Sequence, residues 1–272
     1  MIFLDSNVAS AILGAIESGI DTIEVSLDIG ISLSQVSISE MEFDVESLSK
    51  IVKDTDSIYF IDDDGIFKAA ISSDHFYKLF PTGKSSAPAL LIDGVLMHRI
   101  KDTDPMTDAK SKARLCARRG IDMLEICTGL GYSTIACLDR EIRSIITIEK
   151  ESNVLQLARL NPWSQRLFSD ERVKIIEGDA VEHISKLKDG TVHAVLHDPP
   201  RFSMGSELYT ADFYSEIHRV LRPRGVLYHY VGSPGSKYKK RDLQKGVMTR
   251  LRKVGFRNPV RKAEALGVLA IK

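Results

Sequence analysis

The 272-residue sequence lacks several features that would place it in a specialised class of protein. No stretch approaches the roughly 18 uncharged apolar residues that a membrane span needs, and the first residues lack the basic start of a signal peptide. Its three cysteines, Cys116, Cys127 and Cys137, form no C-x-x-C pair, which argues against a disulfide framework and a structural metal site. We therefore expect a cytoplasmic protein with neither a membrane segment nor a metal.

The chain as a whole has no excess of either charge, because its formal net charge is +0. Its two ends, however, carry an excess of opposite signs. Residues 1–65 hold fourteen acidic and two basic side chains, whereas residues 222–272 hold fourteen basic and two acidic ones. The basic end suits a polyanion such as a nucleic acid. Packing of the two ends against each other, or simple solvation of each end, explains the same distribution.

Residues 1–104 have short, mixed apolar patterns that predict a small acidic, β-rich α+β domain. Apolar alternation predicts hairpins that turn at residues 28–30, 62–65 and 93–94, and helical spacing appears around residues 41–53. The tripeptide Gly83, Lys84, Ser85 resembles the end of a phosphate-binding P-loop, but Lys78 stands where the first glycine of that loop belongs. A P-loop is therefore not expected.

Residues 105–272 alternate between strand-like and helix-like segments, which predicts a second domain of the α/β class. The predicted strands read IDMLEIC, SIITIE, VKIIEG, VHAVLHD, VLYHYVG and GVLAIK, and the helices between them include ESNVLQLARL and ADFYSEIHRVL. The sequence RPRG after the second of these helices is a stop signal that places the helix end at Leu221. We therefore expect a Rossmann-like, doubly wound sheet.

A strand followed by a glycine turn, EICTGLGY, is the most informative segment of this domain. Gly129 and Gly131 let the backbone approach a ligand closely at the carboxyl edge of the sheet. Thr134 replaces the third glycine of the NAD fingerprint, so nicotinamide binding is not favoured. Glu149 ends the next strand, where a carboxylate can accept both ribose hydroxyls of an adenosine, although a simple surface glutamate also fits this position.

A second turn, Gly178-Asp179, follows the third strand, where the acidic side chain can accept the amino group of an adenine. Together with the glycine turn and Glu149, it resembles the nucleoside-binding half of class I S-adenosylmethionine-dependent methyltransferases. The resemblance covers residues 105–272 and implies S-adenosyl-L-methionine as the cofactor. The cofactor contacts that it implies are Glu125, Thr128, Gly129, Gly131, Tyr132, Glu149, Gly178, Asp179 and Asp198.

The fourth predicted strand ends in HDPPRF, at the sheet edge where this methyltransferase family places its acceptor. Asp198, Pro199 and Pro200 followed by an aromatic residue are similar to the (D/N/S)PP(Y/F/W) motif of methyltransferases that act on exocyclic base amines or amide nitrogens. Here Arg201 occupies the aromatic position and Phe202 follows it, an arrangement also seen among ribosomal RNA methyltransferases. The resemblance implies that Asp198, Pro199, Pro200 and Phe202 are catalytic.

The chemistry of a conjugated amine explains this choice of residues. Its lone pair is delocalised, so Asp198 and the Pro199 carbonyl, by accepting its two hydrogens, localise the pair and aim it at a methyl group. Proline has no competing N–H and holds the carbonyl rigidly. Phe202 can stack on the acceptor base, although aromatic residues more commonly serve as core rings.

We assign structural and not catalytic roles to the other candidate residues near these motifs. His193 and His197 flank the fourth strand, and we expect both to support the sheet rather than to transfer protons. None of the three cysteines lies where carbon-5 methylation of cytosine needs a thiolate, so we expect small core residues instead.

The segment after the fifth strand interleaves Tyr238 and Phe256 with many basic residues. Lysine and arginine at this density neutralise phosphates, and the aromatic rings can stack on unpaired bases. The apolar residues Leu243, Val247, Leu251 and Val254 recur at helical spacing, so a solvated amphipathic helix also explains the pattern. The candidate RNA contacts are Arg201, Lys237, Lys239, Lys240 and Arg241.

The whole chain also resembles a predicted archaeal methyltransferase family. The resemblance implies an N-methyltransferase of structured RNA, with cytidine N4 of small-subunit ribosomal RNA as the preferred acceptor and RNA as the partner. One alternative is a protein or small-amine N-methyltransferase with the same cofactor half. A second is an aminopropyltransferase, because spermidine synthases also join a small β domain to this fold, although their glycine turn normally carries an acid that CTGLG lacks.

Overall fold

The computed structural model of the chain describes residues 1–41, 43–232 and 242–272. These residues form two compact units. The first contains Met1–Met106 and Gln156–Gln165, and the second contains Thr107–Leu155 and Arg166–Lys272. The short stretch Gln156–Gln165 thus belongs to the first unit, although in the sequence it lies among the elements of the α/β domain.

The first unit is built from short strands and helices. Its strands pair antiparallel, and the hairpins predicted at residues 28–30, 62–65 and 93–94 are all present, so these predictions are confirmed. The helix predicted around residues 41–53 is also present, as the third helix of the unit. The elements are β1 (Ile2–Leu4), α1 (Ser6–Ser18), β2 (Thr22–Val25), β3 (Ser34–Ser37), α2 (Ile38–Met41), α3 (Val45–Lys53), β4 (Tyr59–Asp62), β5 (Gly65–Lys68), β6 (Ala70–Ser72), β7 (Phe76–Phe80), β8 (Ala89–Ile92) and β9 (Val95–Leu96).

Helix α1 is not predicted by the sequence patterns, yet its two ends are well specified. The Asp5 side chain accepts a hydrogen bond from a backbone N–H in the first turn, at 2.9 Å, which satisfies one of the free donors there. Gly19 ends the helix in the left-handed conformation, with φ of 66°. Ala9 and Ile12 are fully buried and pack in the core of the first unit together with residues of α3.

From residue 105 onward the chain alternates helices and strands, as the sequence predicts. Pro162–Ser164 and Ser206–Tyr209 form short 3-10 helices. The other elements are α4 (Pro105–Cys116), β10 (Asp122–Ile126), α5 (Tyr132–Leu138), β11 (Ser144–Glu149), α6 (Ser152–Leu160), α7 (Gln165–Ser169), β12 (Val173–Glu177), α8 (Ala180–Ser185), β13 (Val192–His197), α9 (Ala211–Val220), β14 (Leu221–Tyr230), α10 (Leu243–Lys253), β15 (Arg257–Lys262) and β16 (Gly267–Ile271).

The second unit is organised around one sheet with the strand order β12-β11-β10-β13-β14-β16-β15. The pairs from β12 to β14 are parallel, and β16 is antiparallel to both of its neighbours. Strand β10 is an inner strand, third in this order, and the chain builds outward from it first on one side and then on the other. Such a reversal leaves a crevice at the carboxyl ends of the strands, where ligands bind.

The predicted strands of the α/β domain are all present, and the doubly wound fold is therefore confirmed. Helix α9 ends at Val220, next to the predicted stop. Strand β15 has no counterpart in the predicted set, because its sequence RNPVRK carries only one buried residue. No helix among the described residues combines the length and the apolar character needed to cross a bilayer.

Candidate active site

The carboxyl ends of four neighbouring strands carry the residues that the sequence singles out. Strand β12 leads into Gly178 and Asp179, β11 ends at Glu149, β10 leads into the glycine turn, and β13 leads into Asp198. These strands are parallel neighbours, so their carboxyl ends meet at one edge of the sheet. The structure therefore brings the predicted nucleoside contacts and the predicted acceptor residue to the same edge.

Glu149 is tied to the glycine turn through its carboxylate. Oε2 accepts a hydrogen bond from the Gly129 backbone N–H at 2.8 Å, and Oε1 accepts from the backbone N–H groups of Lys150 at 2.9 Å and Glu151 at 3.1 Å. Burial raises the pKa of Glu149, and these three donors oppose that shift. Because a carboxylate can accept about four hydrogen bonds, Glu149 keeps capacity for a further donor.

Glu125 lies beneath the glycine turn, inside the sheet. It is fully buried, and its Oε2 atom accepts hydrogen bonds from the hydroxyls of Thr134 and of Thr147, the latter at 2.7 Å. Its Oε1 atom has no hydrogen-bond partner among the described residues. Thr128 directs its hydroxyl to Thr147 at 2.6 Å, and Tyr132 is buried at the start of α5. Glu125, Thr128 and Tyr132 thus support the glycine turn from its buried side.

The buried Glu125 carboxyl leads us to expect a particular pH dependence of folding stability. Burial raises the pKa of Glu125 to about 8 from its usual 4.5, although Thr134 and Thr147 oppose the shift. Between these two values the folded chain keeps a proton that the unfolded chain has released, so the free energy of unfolding falls as the pH rises. A Glu125→Gln variant does not titrate, so the wild type should lose stability relative to this variant from about pH 5 to about pH 8.

Urea unfolding at a series of pH values measures this difference. The exposed Glu171 of the same unit provides the control, because Glu171→Gln should follow the wild type at every pH. Parallel pH profiles of the wild type and the Glu125→Gln variant contradict the expectation.

Gly131 closes the turn and begins α5 with φ of 78°. A Cβ atom at this position would lie 2.6 Å from Cδ2 of Leu167 in α7. Both the left-handed backbone and the close approach of α7 therefore require glycine here.

Replacing Gly131 by alanine should lower the free energy of unfolding by about 2 to 4 kcal/mol, as the sum of left-handed strain and overpacking. Gly190→Ala is the matched control, because Gly190 has φ of 59° but a Cβ atom there would meet no other atom within 4 Å. The Gly190→Ala variant should therefore lose only the part of the free energy of unfolding that comes from left-handed strain. Urea unfolding of both variants measures the difference, and equal losses would show that the contact with Leu167 costs nothing.

Asp179 serves as the N-cap of α8. Its Oδ1 atom accepts from the Val181 backbone N–H at 2.8 Å, and Oδ2 lies 3.3 Å from Nζ of Lys150. Burial raises the pKa of Asp179, but the cap and Lys150 outweigh burial and lower it. Gly178 is also required, because a Cβ there would collide with the ring of His183.

The loop that carries Asp198 is held in place on both sides of the two prolines. The Asp198 backbone N–H donates to the carbonyl of Ile126 at 3.1 Å. The Tyr209 hydroxyl donates to the carbonyl of Pro200 at 2.8 Å. Tyr209 is itself only 3% exposed, so a rigid side chain fixes the direction of the loop.

Phe202 lies at the surface of this loop. It is 47% exposed, so it is not a core ring, and its edge-on contact with Tyr209 has a centroid distance of 5.4 Å. One face of the ring therefore remains available for stacking. The neighbouring Arg201 is exposed. The other predicted RNA contacts, Lys237, Lys239, Lys240 and Arg241, lie outside the described residues.

Lys112 of α4 is a site residue that the sequence analysis missed. Its Nζ atom lies 2.7 Å from Oδ2 of Asp198 and 2.8 Å from Oδ2 of Asp108. Burial disfavours the ammonium, but the two carboxylates outweigh burial and raise the pKa of Lys112. The spacing of Asp108 and Lys112 is common in solvated helices, and Asp198 lies 86 residues further along the chain. The sequence therefore held no specific signal for this contact.

Two histidines pack against each other near the loop that carries Asp198. The rings of His197 and His229 are fully buried, with centroids 4.3 Å apart. Burial lowers the pKa of His197 to about 4, so its ring is neutral at physiological pH. His193, at the other end of β13, accepts a hydrogen bond from the backbone N–H of Asp122 at 3.1 Å. His193 and His197, for which the sequence predicts structural roles, thus both contact the sheet and stabilise it.

The strand order and the loops at its carboxyl edge define a Rossmann-like α/β fold. A solved spermidine synthase, in complex with the transition state analogue AdoDATO, superposes with a TM-score of 0.60 and 18% identity over 76% of this chain and 74% of that chain. A SAM-dependent methyltransferase from Aquifex aeolicus gives a TM-score of 0.46 and 18% identity over 60% of this chain and 88% of that chain.

The protein MJ1233 of Methanocaldococcus jannaschii is 50% identical over 234 residues, which cover 86% of this chain and 79% of that protein. The chain belongs to the same family as this protein. The polyamine aminopropyltransferase of Sulfolobus acidocaldarius is 24% identical over 163 residues, 58% of this chain, and the match spans only 53% of that relative. No model of a protein family matches the chain.

Proposed function

We propose that the protein is an S-adenosylmethionine-dependent N-methyltransferase that modifies an exocyclic base amine of structured RNA. Cytidine N4 of small-subunit ribosomal RNA is the preferred acceptor. The observation that carries this proposal is the position of Asp198, at the end of β13, on the same sheet edge as Glu149 and the glycine turn. A nucleoside-binding carboxylate and an amine-binding carboxylate thus face one crevice.

The residues at this edge fit the cofactor. Glu149 keeps acceptor capacity for one ribose hydroxyl, and a Cβ on Gly129 would meet no atom within 4 Å, so a ligand can approach the backbone there. The Asp179 side chain is 37% exposed and can accept from an adenine amino group. When bound, S-adenosylmethionine supplies an electrophilic methyl group on a sulfonium.

The acceptor side of the site is formed by Asp198 and the two prolines. Asp198 and the Pro199 carbonyl accept the two hydrogens of the amine, which localises the nitrogen lone pair. The nitrogen lone pair would form the new N–C bond as the S–C bond of the sulfonium breaks, so that S-adenosylhomocysteine leaves, and Asp198 would take the proton that the amine loses. Phe202 stacks on the base and holds it in place for transfer.

Binding of RNA is supported by the charge of the second unit. Exposed basic side chains there can contact phosphates, and phosphate contacts dominate the affinity for nucleic acids. Affinity for RNA should therefore fall with salt, with a logarithmic slope of about 0.7 per phosphate contacted. The exposed basic residues of the described part of this region include Arg222, Arg224, Lys245, Arg252, Lys253, Arg257 and Arg261.

A second candidate function is aminopropyl transfer to a polyamine. The similarity to the Sulfolobus acidocaldarius polyamine aminopropyltransferase and the superposition on spermidine synthase favour it. This reaction uses decarboxylated S-adenosylmethionine as the donor. The turn CTGLG between Glu125 and Tyr132 has no acidic residue, which distinguishes it from the turn normally found in spermidine synthases.

The proposal is tested by mass spectrometry of nucleosides from ribosomal and transfer RNA of cells with and without the gene. We expect the loss of one N-methylated base in the deletion strain, and its restoration when the purified protein and S-adenosylmethionine are added to the isolated RNA. An unchanged nucleoside profile overturns the RNA assignment. Altered polyamine levels in the same cells would then support aminopropyl transfer.

A further inference from the structure

A buried lysine joins two carboxylates at the acceptor side of the site. The side chains of Lys112 and Asp108 are only 9% and 4% exposed, and both lie on α4 one helical turn apart. The Lys112 ammonium also lies over the ring of Tyr230, 4.3 Å from its centroid. A buried ammonium is costly unless it is paired, so the two carboxylates and the ring fix Lys112 in one position.

Because of this ion pair, the two oxygens of the Asp198 carboxylate have different surroundings. Oδ2 accepts the hydrogen bond from Lys112 at 2.7 Å. In the part of the chain that the structure describes, no hydrogen bond reaches Oδ1, and the Asp198 side chain is still 21% exposed. One oxygen is therefore anchored and the other is open to a ligand.

We propose that Lys112 is a positioning residue for the transfer reaction, which holds Asp198 ionised and presents Oδ1 to the amine of the acceptor. Asp108 in turn holds Lys112 through the second ion pair. This inference rests on the proposed function, because it assigns the acceptor amine to Asp198. Lys112 would thereby determine whether Asp198 is ionised, and able to accept the hydrogens of the amine, when the base binds.

The charges around Asp198 explain why a cation is needed there. Burial raises the pKa of Asp198, and Lys112 opposes that shift. A protonated Asp198 could not take up the proton that the amine loses, so the amine would lose its proton acceptor. Besides Lys112, the titratable groups within residues 1–41, 43–232 and 242–272 that interact with Asp198 are Asp108, Glu125, Cys127, Tyr209 and Tyr228. None of these groups supplies a second positive charge.

Among the residues that the structure describes, Lys112→Met therefore leaves Asp198 interacting only with neutral and negative groups. Loss of this cation should raise the pKa of Asp198, because a nearby opposite charge favours the ionised carboxylate. The acid limb of the pH–rate profile should therefore move to higher pH, because methyl transfer needs ionised Asp198. At neutral pH we expect turnover to fall by about 10- to 100-fold, with unchanged affinity for S-adenosylmethionine.

The experiment compares the wild type with Lys112→Met, Lys112→Arg and the matched control Lys110→Met, whose side chain is exposed on the same helix. Turnover is measured against pH on an RNA acceptor, and cofactor affinity by calorimetry. Lys112→Arg keeps the charge, so its acid limb should stay near that of the wild type while misplacement of Oδ1 lowers its turnover. An acid limb that does not move in folded Lys112→Met overturns the proposal, as does wild-type turnover in Lys112→Arg.

A second readout separates this inference from the proposed function. The titration of the Asp198 carboxyl is followed by carbon NMR without any substrate, and Asp198→Asn assigns the signal. A higher Asp198 pKa in Lys112→Met supports the pairing even if the wild type methylates no RNA, in which case only the proposed function fails. An unchanged Asp198 pKa shows that Lys112 is merely structural.

Discussion

Replacing Asp198 by asparagine is expected to lower the turnover number for methyl transfer by about 100- to 1000-fold, the usual effect of removing one preorganised polar group from a reacting centre. Asparagine has nearly the same shape, but its amide is neutral and takes no proton from the amine. It also cannot form the ion pair with Lys112, which lies 2.7 Å away. Stopped reactions with RNA and S-adenosylmethionine, analysed for methylated nucleosides, measure the effect.

The control for this prediction is Asp212→Asn, which changes an exposed aspartate in the first turn of α9 and should leave turnover unchanged. Thermal unfolding of both variants shows whether the fold is intact. If folded Asp198→Asn turns over at nearly the wild-type rate, the DPP sequence is not the acceptor site.

Replacing Glu149 by glutamine is expected to weaken the binding of S-adenosylmethionine by about 10- to 100-fold. Hydrogen bonds to a charged group contribute about 1.5 to 3 kcal/mol, and a factor of ten in affinity corresponds to about 1.4 kcal/mol. The amide oxygen has only two lone pairs, so it can no longer accept from a ribose hydroxyl and from the backbone N–H groups of Gly129, Lys150 and Glu151 at once. Calorimetric titration with the cofactor measures the loss directly.

Glu177→Gln provides the matched control, because Glu177 ends β12 opposite Glu149 in the neighbouring strand and is exposed. It should bind the cofactor as the wild type does. Equal affinities of all three proteins would mean that Glu149 is a structural residue that only organises the turn.

Much of the α/β domain was predictable because its strands read as short apolar runs between helices of regular spacing. The glycine turn, Glu149 and the DPP sequence were also predictable, since each follows a strand at the edge where ligands bind. Helix α1 was not predicted, because its capping residues Asp5 and Gly19 are common in loops as well. The pattern of the first unit was dominated by hairpins.

The contacts that hold the site residues in place could not be predicted from the local sequence. Lys112 meets Asp198 only because α4 lies beside the end of β13, and Tyr209 meets the Pro200 carbonyl across the loop that connects them. Such contacts depend on tertiary packing, not on spacing along the chain. The sequence did anticipate that His197 is structural, and its complete burial agrees with that expectation.

Identification of the reaction products distinguishes methyl transfer to a base amine from aminopropyl transfer. The purified protein is incubated with ribosomal RNA and with a polyamine, each in the presence of S-adenosylmethionine or its decarboxylated form, and all products are identified by mass spectrometry. We expect a single N-methylated nucleoside, formed only with RNA and S-adenosylmethionine. An aminopropylated amine, formed only with the decarboxylated donor, would contradict methyl transfer and assign the site to polyamine synthesis.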